Sequence, residues 1–249
     1  MKLDLAIIGG TGLYDFPGLE KVEKRVVETP YGLASDAVTL GELGGKRVAF
    51  LARHASGHSI PPHRINYRAN VWALHSLGAP RALGINAVGG IRADLGPRVL
   101  AVPDQIIDYT HGRITSFCDA EGAKVEHVDF TEPYSASLRA DVLAAAKRAG
   151  IAVVDGGCYG ATQGPRLETC AEIARMRRDG CDLVGMTGMP EAALARELKM
   201  DYACVALVAN WAAGCPLGDA APEISLPEIF AHLQAATANI PPLLSALLA

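Results

Sequence analysis

Several stretches of this chain are apolar at every residue rather than at every second one, as in Leu5-Ala6-Ile7-Ile8 and the run from Tyr202 to Ala209. A strand with one wet face alternates between apolar and polar. An unbroken apolar strand has to be covered on both faces, and that is the situation of central strands in sheets sandwiched by helices. Strands are expected at residues 3–8, 47–51, 81–88, 99–102, 153–162, 183–186 and 202–209. Helical patterns fall between and after them, at 67–77, 137–149, 169–178, 190–198 and 226–247. The alternation predicts an α/β fold: a mixed, mostly parallel twisted sheet flanked by helices.

The start of the last helix is marked in detail. Ser225 and Glu228 have capping-box spacing, Pro227 sits in the first turn, and Ile224 and Ile229 have the spacing of a hydrophobic staple. The preceding segment, 214–222, is turn-rich. No linker, repeat or low-complexity block divides the chain, so residues 1–249 are expected to form one domain.

Composition narrows the function classes. Half of the residues are hydrophobic and 20% are charged, which suits a bulky domain with part of its surface covered by sister subunits. The net charge of −4 comes with no basic arm or stripe, so nucleic acid is not an expected partner. No apolar run reaches the roughly 18 residues of a membrane span, and the first residues lack the pattern of a secretory signal. The expected location is the cytoplasm. The six cysteines form no C-x-x-C pair and read as reduced thiols.

The chemistry-bearing residues gather at the junctions after the strands. Gly9-Gly10-Thr11-Gly12 follows the first, Ala87-Val88-Gly89-Gly90 ends the third, and Met186-Thr187-Gly188 ends a later one. Glycines there let backbone N–H groups turn toward an anion, and the ends of parallel strands are where α/β sheets bind ligands. Arg53 offers a planar fork for phosphate, and His54 a further donor. His58 and His63 follow without a zinc spacing, and no metal is expected. Glu168 is either an acid favoured by a helix start or a carboxylate facing a ligand. Asn210, after an apolar run, either makes a turn or presents its amide to a ligand.

Five motifs in order, Ile8-Gly9-Gly10-Thr11-Gly12, Leu51-Ala52-Arg53-His54, Asn66-Tyr67-Arg68-Ala69-Asn70, Gly164-Pro165-Arg166 and Gly185-Met186-Thr187-Gly188-Met189-Pro190-Glu191, resemble the methylthioadenosine/purine nucleoside phosphorylase family over nearly the whole chain. The resemblance implies a phosphorylase/hydrolase-like fold, a homotrimer or dimer of trimers, inorganic phosphate as co-substrate and no other cofactor. It also implies a phosphate site at Thr11, Arg53, His54, the backbone near Ala87, and Thr187. Met186 is then the residue under the ribose, with Leu167 beside it in the substrate site. His127 matches a histidine that reaches into the neighbouring subunit.

Adenine-cleaving members of that family carry two aspartates where this chain has Asn210 and Ala212, and a serine where it has Glu168. The pair Glu168 and Asn210 resembles the base site of members acting on 6-oxopurines. Hydrogen-bond chemistry agrees: an ionised Glu168 accepts from N1–H of hypoxanthine, and the Asn210 amide donates to N7 or O6. Members that favour a 5′-hydroxyl carry a histidine where Leu226 aligns. Here Ile224, Leu226 and Ile229 make an apolar wall that suits a 5′-methylthio group, unless they serve only to staple the helix. The expected reaction is phosphorolysis of a 6-oxopurine nucleoside carrying that group, with Asn210, Glu168 and His54 as catalytic residues. The alternatives are inosine or guanosine phosphorolysis, cleavage of methylthioadenosine, and non-catalytic nucleoside binding.

Overall fold

A computed structural model describes residues 2–13, 18–119, 122, 124–216 and 224–249. The central strands are β1 (Leu5–Gly9), β4 (Lys46–Ala52), β5 (Arg81–Gly90) and β11 (Asp201–Trp211). β1 pairs in parallel with β4 and β5, and β5 in parallel with β11. Their carboxyl ends therefore open on one side of the sheet.

Burial explains the unbroken apolar runs. Along β11, Tyr202, Cys204, Ala206 and Val208 join one hydrophobic core, and Ala203, Val205, Leu207 and Ala209 join another. In β1, Ala6 and Ile8 face the first core and Leu5 and Ile7 the second. Successive strand side chains point to opposite faces, so both faces demand apolar residues. Helices α1 (Tyr67–Ser76) and α4 (Gly188–Glu197) pack in the first core. The second holds α2 (Ala136–Ala149), α5 (Leu226–Thr237) and α6 (Ile240–Leu248). A third, smaller core seats α3 (Cys170–Arg178) through Ile173 and Met176 against Ile91, Val184 and Ala212.

On one flank, β2 (Glu20–Arg25) and β3 (Val38–Leu43) continue the sheet beyond β4, both antiparallel to their neighbours. On the other, β10 (Leu183–Gly185) pairs antiparallel with the end of β5 and parallel with β9 (Cys158–Ala161), which pairs in parallel with β7 (Gln105–Asp108). A side branch runs from β11 through β6 (Leu100–Val102) to β8 (Val153–Asp155). The sheet is mixed and mostly parallel, as the sequence predicts.

Several boundaries differ from the sequence reading. The expected strand at 153–162 is two strands, β8 and β9, because Gly156 and Gly157 turn the chain between them with φ of 85° and 123°. The expected helix at 226–247 is also two: α5 ends at Thr237, and α6 restarts at Ile240 with prolines in its first turn. Pro241 and Pro242 cannot continue a helix from within. Ser225 makes no side-chain cap bond, so the capping box expected there does not form. A complete one stands at Thr169 and Glu172, at the start of α3. Of the expected turn-rich segment 214–222, residues 217–222 lie outside the described residues.

Candidate active site

The strand ends converge on a cavity of about 380 Å³. Its lining brings together Thr11, Arg53, His54, Ala87, Met186 and Thr187 with Leu167, Glu168, Asn210, Ala212, Ile224, Leu226 and Ile229. Of the residues assigned to the phosphate, substrate and 5′-group sites from the sequence, His127 alone is not in this lining; it is exposed, on a segment without helix or strand.

One end of the cavity is deeply buried. The Gly9–Gly12 turn lies close on β5: a Cβ on Gly10 would stand 2.5 Å from the Ile85 carbonyl oxygen and 3.0 Å from Arg53 Nη1. Gly12 has φ of 86°, a left-handed conformation that suits glycine. Beneath this turn Arg53 is fully buried and makes a two-pronged ion pair with Glu191, Nε to Oε2 at 2.7 Å and Nη2 to Oε1 at 2.8 Å. Nη2 also donates to Asn86 Oδ1 at 3.0 Å, and Nη1 to the Ile85 carbonyl at 3.1 Å. Glu191 accepts once more, from the Tyr202 hydroxyl at 2.7 Å. Burial alone would lower the guanidinium's pKa; the adjacent Glu191 carboxylate outweighs it and holds Arg53 above its ordinary range, a cation throughout.

Two of the three guanidinium nitrogens of Arg53, Nε and Nη2, are engaged by Glu191, while Nη1 lies beside Gly10 and Arg53 lines the cavity. His54 is likewise held by a backbone partner. Its Nδ1 lies 2.8 Å from the Ile60 carbonyl, so Nδ1 carries the proton. Burial, helped by the Arg53 charge and by His58, pushes its pKa down to about 4 against the opposing Ile60 bond. At neutral pH the ring is uncharged and Nε2 is an acceptor, where a donor was expected.

The other residues are aimed by local structure. Thr187 precedes α4 but makes no cap bond, and its neighbour Met189 is extended (φ −117°, ψ 142°), so the regular helix starts at Pro190. Thr187 Oγ1 instead accepts from Asn86 Nδ2 at 3.1 Å. Glu168 precedes α3, whose first-turn acid is Glu172. The Arg166 guanidinium and the Thr169 backbone N–H pull the Glu172 carboxyl down to about 2. The helix-start reading of Glu168 thus falls to Glu172. Glu168 itself turns toward the cavity, with Oε1 accepting from the Thr162 hydroxyl at 2.6 Å.

Asn210 follows an irregularity in the β11–β5 register between Val208 and Asn210. Such a bulge re-aims a side chain at the end of a strand. One amide N–H of Asn210 donates to the Trp211 carbonyl at 2.6 Å. The amide's second N–H and its oxygen are left for a ligand.

The far end of the cavity is apolar and open. α5 supplies Leu226, Ile229, Phe230 and Leu233; Leu226 is 62% exposed and Phe230 57%. Sequence reading missed Glu191, Asn86 and Phe230. A signal for Glu191 existed: an acid in the apolar stretch Met189-Pro190-Glu191-Ala192-Ala193-Leu194 has to be paired if that face is buried. Among the described residues, no group of three or more His, Cys, Asp or Glu is placed to hold a metal.

The cavity thus sets a buried polar end at the carboxyl ends of parallel strands, where open α/β sheets bind ligands, beside a carboxylate, an amide and an apolar wall. The chain belongs to the phosphorylase superfamily, whose profile matches residues 4–249. It is 61% identical over 246 residues to a probable S-methyl-5′-thioinosine phosphorylase of Xanthomonas campestris, covering 99% of this chain and 97% of that one. It is 50% identical over 215 residues to a 6-oxopurine nucleoside phosphorylase of Pyrococcus furiosus, covering 84% and 80%. Among solved structures, a methylthioadenosine phosphorylase of Schistosoma mansoni in complex with adenine superposes with a TM-score of 0.92 at 31% identity, over 99% of this chain and 91% of that one.

Proposed function

We propose that this protein is an S-methyl-5′-thioinosine phosphorylase, converting that nucleoside and phosphate to hypoxanthine and 5-methylthioribose 1-phosphate. The observation that carries the base preference is the presence of both Glu168 and Asn210 in the lining of the one cavity. Glu168 Oε1 is engaged by the Thr162 hydroxyl, so Oε2 is the acceptor for purine N1–H. Adenine offers an acceptor at N1, and two acceptors facing each other repel. A site built on buried hydrogen bonds rejects such a mismatch strongly. The relatives' names agree with this preference.

Phosphate would sit at the buried end, on Thr11, Thr187 and the backbone near Ala87, with Arg53 supplying positive charge from beneath. His54 Nε2 would accept from the O–H of monohydrogen phosphate. The C1′–N9 bond breaks as positive charge gathers on the ribosyl ring over Met186. A phosphate oxygen then forms the C1′–O bond, while the purine leaves with the bonding electron pair as an anion stabilised at N7 by an Asn210 N–H; it then takes a proton from solvent to give hypoxanthine, and the sugar phosphate releases the proton that the monohydrogen phosphate brought. Positioning and a preorganised field supply the acceleration. The 5′-methylthio group would lie on Ile224, Leu226 and Ile229. The working unit would be a cytoplasmic homotrimer, or a dimer of trimers, in which His127 closes a neighbour's site.

The test is a substrate panel of methylthioinosine, inosine, guanosine and methylthioadenosine, with and without phosphate. Phosphate-dependent release of hypoxanthine, fastest from methylthioinosine, is the expected result. Turnover without phosphate would mean a hydrolase, no turnover a binding protein, and preference for methylthioadenosine would overturn the base-site reading.

A further inference from the structure

Asn86 is fully buried and outside the cavity lining, yet it stands between two residues of the phosphate end. Its Oδ1 lies 3.0 Å from Arg53 Nη2, and its Nδ2 lies 3.1 Å from Thr187 Oγ1. The direction of every bond in this chain is fixed by chemistry. A carboxylate only accepts, so Glu191 takes the Arg53 N–H groups. A guanidinium only donates, so the atom of Asn86 facing it has to be the amide oxygen. The amide nitrogen is then turned to Thr187. Because that nitrogen donates, Thr187 Oγ1 accepts, and its own proton has to point elsewhere. Among the described residues Thr187 Oγ1 donates to no protein acceptor and caps no helix. The remaining direction is the cavity.

We infer that Asn86 is a positioning residue that presets the Thr187 hydroxyl as a donor to the anionic co-substrate, through the directional chain Glu191, Arg53, Asn86, Thr187. This rests on the proposed phosphate end of the site. A threonine hydroxyl left free accepts as readily as it donates, and on binding a dianion it has to lose the unproductive rotamers. With Asn86 in place that selection is made before the ligand arrives, which is preorganisation in the sense that matters for affinity. The chain also gives the buried ion pair a use beyond stability, since Glu191 holds Arg53 in the orientation that fixes the amide.

The experiment is a double-mutant cycle with N86L and T187V, read as KM for inorganic phosphate and, separately, KM for the nucleoside, with circular dichroism as the folding check. Loss of a hydrogen bond to a charged ligand predicts that T187V raises the phosphate KM roughly tenfold or more. N86L, nearly isosteric and uncharged, is expected to raise it roughly threefold in the parent and to add almost nothing on top of T187V. The nucleoside KM should stay put in all three. Asn86→Asp keeps a partner for Arg53 but turns an acceptor toward Thr187, drawing its proton away from the cavity. It should raise the phosphate KM more than N86L does, and it replaces N86L in the cycle if the leucine variant fails to fold. Equal factors from the Asn86 substitution in both backgrounds would overturn the inference while leaving the site assignment standing. A phosphate KM unmoved by T187V would instead sink the placement of phosphate itself.

Discussion

The two ends of the cavity are built on opposite principles. At the buried end Arg53 is 0% exposed, His54 4% and Thr187 6%, and each is held by named partners. At the open end Leu226 and Phe230 are more than half exposed and bring only apolar side chains to the cavity. Buried polar networks tolerate few arrangements, because one missing partner leaves a desolvated group behind. An apolar rim tolerates many. On the proposed function, delivery of phosphate to C1′, the invariant part of the reaction, falls to the rigid end, and the choice of 5′ substituent to the adaptable one.

The sharpest way to break this contrast is at Glu191. Glu191→Ala leaves the Arg53 charge buried without its carboxylate and is expected to cost about 3–5 kcal/mol in urea unfolding and to abolish activity. An unchanged midpoint would show that the network is not under tension from burial. Asn210→Ala leaves the fold intact and should lower kcat on the order of a hundredfold, as removal of one transition-state donor does elsewhere. Steady-state kinetics with methylthioinosine checks this, and an unaltered kcat would remove the leaving-group role. Leu226→His acts at the open end, where the expected outcome is gentler: a shift toward inosine over methylthioinosine of roughly threefold to tenfold, with stability unchanged. A flat ratio would make Leu226 a lip of the helix and nothing more.

The smallest effect concerns pH. His54 folds with its pKa lowered from 6.5 to about 4, so between these values the unfolded chain binds more protons than the folded one. The stability His54 contributes is complete above pH 6.5 and is lost as pH falls toward 4. His54→Gln should therefore flatten the fall in Tm over that window, measured by thermal melts. Parallel curves for the two proteins would place the acid sensitivity elsewhere.

How much of this was legible in the sequence depended on burial. The central strands announced themselves because both faces are covered, as the split of β11 between two cores explains. β2 stayed hidden because Glu20–Arg25 is charged and largely exposed, with no apolar alternation to read. β7 is four residues with little burial. Cavity residues were readable where a strand run ended in glycine or in an isolated polar group, as at Thr11, Thr187 and Asn210. What the sequence did not carry was pairing. Arg53 and His54 were visible, but their partners Glu191 and Ile60 are known only once the chain has folded, and those partners set which of their atoms are left for a ligand.

The capping box at Thr169 and Glu172 separates two duties that a neighbouring acid at 168 would otherwise share. The terminus of α3 keeps its own carboxylate whatever residue occupies position 168. With Glu168 reading the base as proposed, nucleobase preference can be exchanged at that position, in evolution or at the bench, without unravelling the helix behind it. On that reading a lineage can drift between oxo- and amino-purines by a handful of replacements, each made on a backbone that does not need to be rescued.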